Sequence, residues 1–594
     1  MKKSVFTYLF IFLLFSNILI IMVYADDSYD VDYITNYYSF DGSNVNIKHP
    51  LWGSANSTLK RLVPSAYSDN ISTPSNSLSP NPRFISNVIC DQPNELNPLD
   101  ERELSDMNWV WGQFITHDIV FTPTTSFDPD LRDLERIHIL APSNDDFYNI
   151  NQTMMSISRN IYDPKTGLTL DNPREQINTV SAWIDGSGVY GSSLSRSNSL
   201  RTFESGKLKV VTHNDGDLLP LASLDSFETK DTPLGQAFFA GDVRANENIG
   251  LTVLHILFIR EHNRLADEIH SSNSDLTDEQ IFQRARKINT AIIQSITYNE
   301  FLPSLGVILD DYNGFNSSIN PQISHMFSTV AFRLGHSQIG DNFLLLNSTG
   351  YKTIIPTEHG FKNPKIIQIN GIDPIIRGLF NLHQQSTDIF YHDSVRNFMF
   401  GNPQLGGLDL CVLDIVRARD HGIADYNTIR KELGLISINN WADITDNSQI
   451  QQRFKLTYNN VNEIDAIIGM LAEDHVSNST LGETSYYIIK QQFESLRDGD
   501  PLFYLNDSDL KHIQDELSNT KLSDIILRNT EINEIHNNVF FISTIDSSII
   551  NSDSLSVIDY IITSLQSWIG FVVVGFTLFC LILLYLVNRV WNKY

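Results

Sequence analysis

The sequence predicts a mainly α-helical protein, built as one large helical domain with few short strands and followed by a C-terminal transmembrane helix. Several long stretches repeat apolar residues at intervals of three and four, which is the helical period, whereas the alternating pattern of strands is scarce. Residues 568–587 form an uncharged run of 20 residues, long enough to cross a hydrocarbon core. The stretches with helical periodicity are Glu101–Thr116, Thr252–Ile269, Thr277–Leu302, Ile323–Leu334 and Thr484–Leu496.

Both ends of the chain resemble segments read by the secretory pathway. Met1–Ala25 runs from two lysines through an apolar stretch to small residues at its end, which predicts a cleaved signal peptide, with an uncleaved anchor as the alternative. Trp568–Val587 is predicted to span the membrane, and the basic tail 588–594 to be cytoplasmic. A GPI signal also ends in an apolar tail, but it does not normally carry basic residues after that tail. The chain is therefore expected to be a single-pass type I protein of the plasma membrane or a vesicle membrane.

The composition divides the rest of the chain into three parts. Residues 26–100 are rich in Asn, Ser and Pro, which predicts an irregular N-terminal wrap. The helical domain is expected at 101–528, and the Ser-, Asn- and Ile-rich residues 529–567 are expected to form a stalk. The formal net charge of −28 argues against binding through phosphates, so nucleic acid is excluded as a partner.

Short motifs agree with a secreted domain. N-x-[ST] sequons, the acceptors of N-glycosylation, all lie between the signal peptide and the predicted span. Of the three cysteines, Cys580 lies inside the predicted span, and Cys90 and Cys411 could pair. The domain therefore does not depend on a disulfide framework. The sequons begin at Asn56, Asn70, Asn151, Asn316, Asn347, Asn478 and Asn506.

The stretch Met107–Phe121, MNWVWGQFITHDIVF, contains the first candidate site residues. Gln113 and His117 are four residues apart, so on a helix both side chains project from one face. Asp118 follows at once and offers a hard oxygen ligand. Taken alone, this stretch favours a buried histidine satisfied by a neighbour, and only the later stretches change that interpretation.

A second stretch, Asn178–Gly191, reads NTVSAWIDGSGVYG. Ser181, Trp183, Asp185 and Ser187 are two residues apart, so in an extended loop two hydroxyls, a carboxylate and the backbone carbonyl of Trp183 can converge on one side. These are oxygen ligands of the kind that calcium takes, and Asp118 could add a second carboxylate. An ordinary Gly/Ser turn is the alternative.

Three later stretches add charged side chains. Arg244 and Glu247 are three apart at the approach to a helix and could address one pocket, although a weak surface ion pair is the alternative. Arg333 and His336 share a helical face. Asp414 lies far downstream and could accept a hydrogen bond from an imidazole, which is how a metal-bound histidine is oriented. His255 and His262, seven apart on one helical face, are interpreted as structural.

Taken together, these motifs closely resemble the animal-type haem peroxidases of the peroxidase–cyclooxygenase superfamily. The resemblance covers roughly Tyr38 to Asp507. The motifs occur in the family's order: WGQFxxHD, WIDGSGVYG, AGDxRxxE, REHNRLA, FRxGH, RxRDHG and LRDGD.

The resemblance implies a role for each candidate residue. His117 is the distal histidine and Arg244 its catalytic partner, with Gln113 on the same side of a haem b cofactor. His336 is the proximal iron ligand, with Arg333 and Asp414 beside it. The family's calcium site corresponds to Asp118, Ser181, the carbonyl of Trp183, Asp185 and Ser187.

Three departures from the family pattern predict moderate oxidising strength. Many members carry an aspartate, esterified to the haem, where this chain has Thr116, which cannot form that ester. Asn248 stands where some members link a methionine to the haem, so Glu247 is the one remaining candidate for a covalent link. Asp414 replaces the usual asparagine; because a carboxylate is the stronger acceptor, it should give His336 imidazolate character and lower the ferric/ferrous potential.

The resemblance therefore predicts a membrane-anchored, extracytosolic haem peroxidase. It would reduce hydrogen peroxide and oxidise a small organic, halide or pseudohalide donor. One alternative is a peroxinectin-like adhesion protein that uses the fold with little or no turnover. A second, fatty-acid oxygenation, needs a tyrosine near the proximal side, and the stretch before His336 supplies none.

Overall fold

The computed structural model describes residues 36–75, 80–93, 98–125, 135–148, 154–224, 226–232, 236–400 and 407–542. The predicted signal peptide, the predicted span 568–587 and the tail lie outside these ranges. Within them, no helix combines the length and the apolar character needed to cross a membrane.

The described chain is mainly helical, as the periodicity predicts. Short turns of 3₁₀ or π geometry join several helices, at Ser86–Cys90, Thr297–Phe301, Ala331–Arg333, Ser394–Phe398, Trp441–Asp443, Val461–Glu463 and Ser508–Leu510. The α-helices are α1 Pro82–Ile85, α2 Asp106–Ile119, α3 Ser187–Tyr190, α4 Leu194–Leu200, α5 Phe227–Asp231, α6 Ile249–Ser272, α7 Asp278–Ile296, α8 Leu302–Ser304, α9 His325–Thr329, α10 Gly335–Gln338, α11 Thr357–Gly360, α12 Lys365–Asn370, α13 Asp373–Leu379, α14 Leu410–Asp420, α15 Tyr426–Glu432, α16 Ser448–Thr457, α17 Ala466–Ala472, α18 Glu483–Asp498, α19 Gln514–Asn519 and α20 Leu522–Asn529.

The strands of the described chain are short and form three antiparallel pairs. The first pair joins the N-terminal wrap to the segment before the predicted calcium loop, through Ser57 opposite Asn178. The pairs are β1 Ser57–Thr58 with β4 Ile177–Asn178, β2 Arg136–Leu140 with β3 Met154–Ser158, and β5 Asn342–Leu346 with β6 Lys352–Pro356.

Tertiary contacts shift several predicted helix boundaries. Helix α2 begins at Asp106 rather than Glu101, because Ser105 bonds instead to the C-terminal segment through Phe540. The stretch predicted as one helix at Ile323–Leu334 is broken, since Val330 leaves helical geometry with φ −134° and ψ −77°. His336 is thereby carried by the separate short helix α10.

Helix α2 occupies the centre of the core. It packs against α6, α3 and α10, which brings the elements carrying Arg244, the predicted calcium loop and His336 around one helix. Most of its side chains are buried, but Gly112, Gln113 and Thr116 are partly exposed and lie on one face. The partly exposed region beside this face of α2 is termed the cleft.

Long-range links hold the ends of the domain. Cys90 and Cys411 form a disulfide that joins the turn after α1 to α14. After α20 the chain stays packed on the domain, because Val539 and Phe540 are fully buried and Ser105 donates to the Val539 carbonyl. The N-terminal part of the predicted stalk, as far as Ile542, is thus part of the packed domain.

A buried ion cluster around Arg83 predicts a large stability effect. Arg83 lies between Asp145 and Asp409, at 2.7 and 2.5 Å, and the three side chains are fully buried. Arg83→Met should lower the free energy of unfolding by roughly 3–5 kcal/mol, because it leaves two carboxylates buried without their cation. Urea unfolding measures the change, and Lys490→Met, which breaks the exposed ion pair with Asp310, is the control that should barely shift the midpoint. Equal effects of the two variants would contradict the prediction.

Candidate functional site

The predicted distal residues meet at the cleft beside α2. The Nε2 atom of Gln113 donates to Glu247 Oε2 at 2.8 Å, and the same oxygen lies 3.6 Å from Nε2 of His117. Arg244 donates to the backbone carbonyl of His117 at 3.2 Å. The three predicted catalytic side chains and Glu247 thus form one cluster, although they come from α2 and from the loop before α6.

Arg244 is held by Asp242 rather than by Glu247. Its Nε and one terminal nitrogen donate to the two oxygens of Asp242, at 2.9 and 2.7 Å. Burial alone would raise the pKa of Asp242, but the charges of Arg244 and His117 lower it below its ordinary value. Asp242 was not singled out from the sequence, although its place two residues before Arg244 in AGDVR is a local signal.

His117 is a neutral base in this environment. Burial, reinforced by the Arg244 cation, holds the pKa of His117 well below its ordinary value. The Nδ1 atom lies 3.8 Å from Asp242 Oδ1, too far for a hydrogen bond. The imidazole is therefore free to accept a proton at neutral pH.

Thr116 and Asn248, two of the residues that depart from the family pattern, both form hydrogen bonds within the protein. The Thr116 hydroxyl donates to the Gly112 carbonyl at 2.7 Å. Asn248 caps α6 through the Leu251 amide and donates from Nδ2 to Gln113 Oε1 at 2.7 Å. Both side chains serve the helices and the position of Gln113, in keeping with their predicted inability to bind haem covalently.

The predicted proximal residues also come together. Asp414 is fully buried; its Oδ2 lies 2.6 Å from Nδ1 of His336, and its Oδ1 accepts a 2.8 Å hydrogen bond from Arg333. Burial alone would raise the pKa of Asp414, but His336 and Arg333 lower it below its ordinary value. The ionised carboxylate orients the imidazole and leaves Nε2 as the nitrogen that can bind a metal.

A further group, missed in the sequence, binds the same carboxylate. The phenol of Tyr391 donates to Asp414 Oδ2 at 3.0 Å, and its side chain is buried. Burial and the charge of Asp414 raise the pKa of Tyr391 well above its ordinary value, so the phenol remains a donor. No local motif marks Tyr391, because it lies 23 residues before Asp414 in an irregular segment.

The cleft fits a haem. His336 belongs to a short helix packed on α2, yet 29% of its side chain is exposed, and Gln113, Arg244 and Glu247 are also partly exposed. The polar side chains of these four residues thus border the cleft and remain partly open to solvent. A planar group bound through His336 Nε2 would cover these exposed surfaces.

The predicted calcium ligands also cluster. Asp118 accepts hydrogen bonds from the Gly186 and Gly188 amides, and the Ser187 hydroxyl donates to the Asp118 carbonyl at 2.6 Å. Asp185 accepts from the Ser187 amide at 2.9 Å. The Ser181 hydroxyl also interacts with Asp185.

Two buried carboxylates, those of Asp118 and Asp185, lie close together in this cluster. Asp185 Oδ2 is buried without a hydrogen-bond partner. Burial and the charge of Asp185 raise the pKa of Asp118 to about 8, and burial raises the pKa of Asp185 to about 6. The donor set fits a hard cation, while the part of the Trp183 carbonyl stays a prediction; the Trp183 indole donates to Gly42.

The two histidines interpreted as structural are both buried. His262 contacts the Tyr190 hydroxyl and the Gly206 carbonyl, both at 2.9 Å. His255 is fully buried and packs edge-on against Phe114, with the ring centres 5.2 Å apart.

Comparisons with known proteins agree with this fold. The family model for animal haem peroxidase matches residues 37–540. Peroxinectin A of Dictyostelium discoideum is 33% identical over 521 residues, which cover 85% of this chain and 95% of that protein. The peroxidasin homolog of Homo sapiens is 31% identical over 561 residues, but the match covers only 38% of that longer protein.

Solved structures show the same relationship. Peroxidase A from Dictyostelium discoideum superposes with a TM-score of 0.79 at 33% identity, covering 85% of this chain and 100% of that one. A fatty acid alpha-dioxygenase of Oryza sativa has a TM-score of 0.68 at 20% identity, a likeness that extends to the fold alone. The matched family model and the shared helical fold define the class of haem peroxidases. The chain belongs to the animal haem peroxidase family and is a haem-dependent peroxidase.

Proposed function

We propose that the chain is a membrane-anchored, extracytosolic peroxidase that reduces hydrogen peroxide and oxidises small organic, halide or pseudohalide donors. The observation that carries this proposal is the pairing, around one helix, of a neutral His117 beside Arg244 with a carboxylate-held His336. When bound through His336, haem supplies the redox chemistry that protein side chains lack.

The distal side chains have complementary roles toward peroxide. His117 would accept a proton from one oxygen of the peroxide and return it to the other, departing oxygen. Arg244, a permanent cation held by Asp242, stabilises the anion that develops as the O–O bond breaks. Gln113, positioned by Asn248 and Glu247, orients the bound peroxide.

Calcium and the remaining covalent link are part of the proposal. The cation would bind Asp118, Asp185, Ser181, Ser187 and the Trp183 carbonyl, and thereby fix the backbone beside His117. Glu247 is the carboxylate that would form an ester with the haem, since it borders the cleft and 35% of its side chain is exposed.

The first test is peroxide turnover by the full-length, haem-loaded chain. Optical spectroscopy during hydrogen peroxide addition should show a shift of the Soret band, followed by oxidation of guaiacol. Haem uptake without any turnover would contradict the proposed catalysis and favour the adhesion function. His336→Ala should lose the histidine-ligated spectrum, which separates a failure of haem binding from a failure of catalysis.

Donor preference gives a second expected result. Bromide, iodide or thiocyanate should be oxidised much faster than chloride, because Thr116 and Asn248 cannot form the haem links and a weakly distorted haem is a weaker oxidant. Parallel halogenation assays at equal halide concentration measure this order. Chlorination as fast as bromination would contradict it.

A further inference from the structure

The proximal carboxylate has three hydrogen-bond donors on two oxygens. Arg333 occupies Oδ1, whereas His336 and Tyr391 share Oδ2, at 2.6 and 3.0 Å. A carboxylate oxygen has two lone pairs, so it can accept both bonds, but each donor withdraws charge from the oxygen that the other uses. The phenol is therefore coupled to the imidazole through a single atom.

The fold holds the Tyr391 backbone in place independently of this bond. Its amide donates to the Cys90 carbonyl at 2.9 Å, and Cys90 is joined by the disulfide to Cys411, three residues before Asp414 on α14. The segment of Tyr391 is thus hydrogen-bonded to the segment that the disulfide ties to the helix of Asp414.

We propose that Tyr391 is a positioning residue that limits how strongly Asp414 pulls on the Nδ1 proton of His336, and so sets the electron donation of His336 to a bound haem iron. This inference rests on the proposed ligation of haem by His336. With the phenol present, the charge on Oδ2 is divided between two donors, and His336 acquires less imidazolate character than an Asp–His pair alone would give it.

The alternative is that the phenol merely finds the nearest acceptor in a buried site. Buried tyrosine hydroxyls usually have a partner, so a hydrogen bond by itself does not show tuning. Tyr458 offers a matched case: it is buried and donates at 2.9 Å to Asp465, which is paired with Arg419 on the same helix α14. Tyr458 binds a carboxylate that does not contact His336. The two tyrosines therefore differ in whether their carboxylate partner also binds the imidazole of His336.

The test compares Tyr391→Phe, Tyr458→Phe and Asp414→Asn in the full-length, haem-loaded protein. Resonance Raman spectroscopy of the ferrous state reports the iron–histidine stretch, and a redox titration reports the ferric/ferrous midpoint potential. Tyr391→Phe should raise the stretching frequency and favour the ferric state roughly tenfold, which lowers the potential by about 59 mV. Asp414→Asn should shift both quantities in the opposite direction, and Tyr458→Phe should leave both unchanged.

The outcomes separate the inference from the proposed site. An iron–histidine band in the parent protein that is absent from haem-loaded His336→Ala supports the ligation. If that band does not move in Tyr391→Phe, or moves equally in Tyr458→Phe, the tuning role is overturned although the haem site stands. The absence of an iron–histidine band from the parent protein overturns the ligation itself.

If Tyr391→Phe does not take up haem, a second variant that keeps the size and the hydroxyl of residue 391 tests the same inference. Replacement of Tyr391 by 3-fluorotyrosine makes the phenol a stronger donor. It should withdraw more charge from Asp414, lower the stretching frequency and raise the potential. A shift in the other direction, or no shift, would also overturn the inference.

Discussion

His117→Ala is expected to lower the rate of the reaction with hydrogen peroxide by about 10²–10⁴-fold, the usual contribution of a positioned general acid–base. The imidazole is buried and neutral beside Arg244, so it is available to accept the peroxide proton. Stopped-flow measurement of the Soret change under excess peroxide gives the rate. Retained haem content in the variant shows that the loss is one of proton transfer.

Chemical rescue and pH dependence sharpen this test. Added imidazole should restore part of the rate in His117→Ala and leave the parent protein unaffected. Because the pKa of His117 lies well below the ordinary histidine value, the parent rate should stay constant as the pH falls through 6.5. A variant that reacts as fast as the parent would assign the proton transfer to another group.

Removal of the proposed calcium ion is expected to destabilise the protein more as the pH rises. Without a cation, burial holds the pKa of Asp118 at about 8 and that of Asp185 at about 6, above the unfolded value of roughly 4. The native state then binds more protons than the unfolded state between about pH 4 and pH 8, so stability falls as the pH rises through that window. Above it, both states are ionised and the loss is complete.

Bound calcium should remove this dependence, because its charge balances both carboxylates. Thermal unfolding in calcium and in EDTA should give melting temperatures whose difference widens from pH 5 to pH 8. Asp118→Asn, which keeps the shape but cannot ionise, should reduce that difference. A gap that is constant across this range, or that narrows as the pH rises, would contradict a site built on Asp118 and Asp185.

Most of the candidate site residues could be predicted from the sequence because they lie in short local motifs. Gln113 and His117 needed only the helical period to be placed on one face, and Asp185 and Ser187 needed only the loop spacing. The long helices were predicted for the same reason, since α6 and α18 each carry a continuous apolar face. Where apolar periodicity continued across a break, at Ile323–Leu334, the sequence could not show that Val330 leaves the helix.

Contacts between distant segments could not be predicted in this way. Arg244 pairs with Asp242 instead of Glu247, because the backbone before α6 turns the guanidinium toward His117. The packing of Val539 and Phe540 against the start of α2 extends the domain into the segment predicted as a stalk.

The sequence by itself determined the helical class and the family, and it predicted the distal, proximal and calcium-binding side chains, because each of these depends on residue type and spacing within short stretches. Only the tertiary structure decided which side chains of these distant stretches form hydrogen bonds with one another. It placed Tyr391 on the same oxygen of Asp414 as His336, and Asn248 on Gln113, through contacts that span 23 and 135 residues. Hydrogen bonds of this kind depend on the packing of whole helices, which no local pattern encodes.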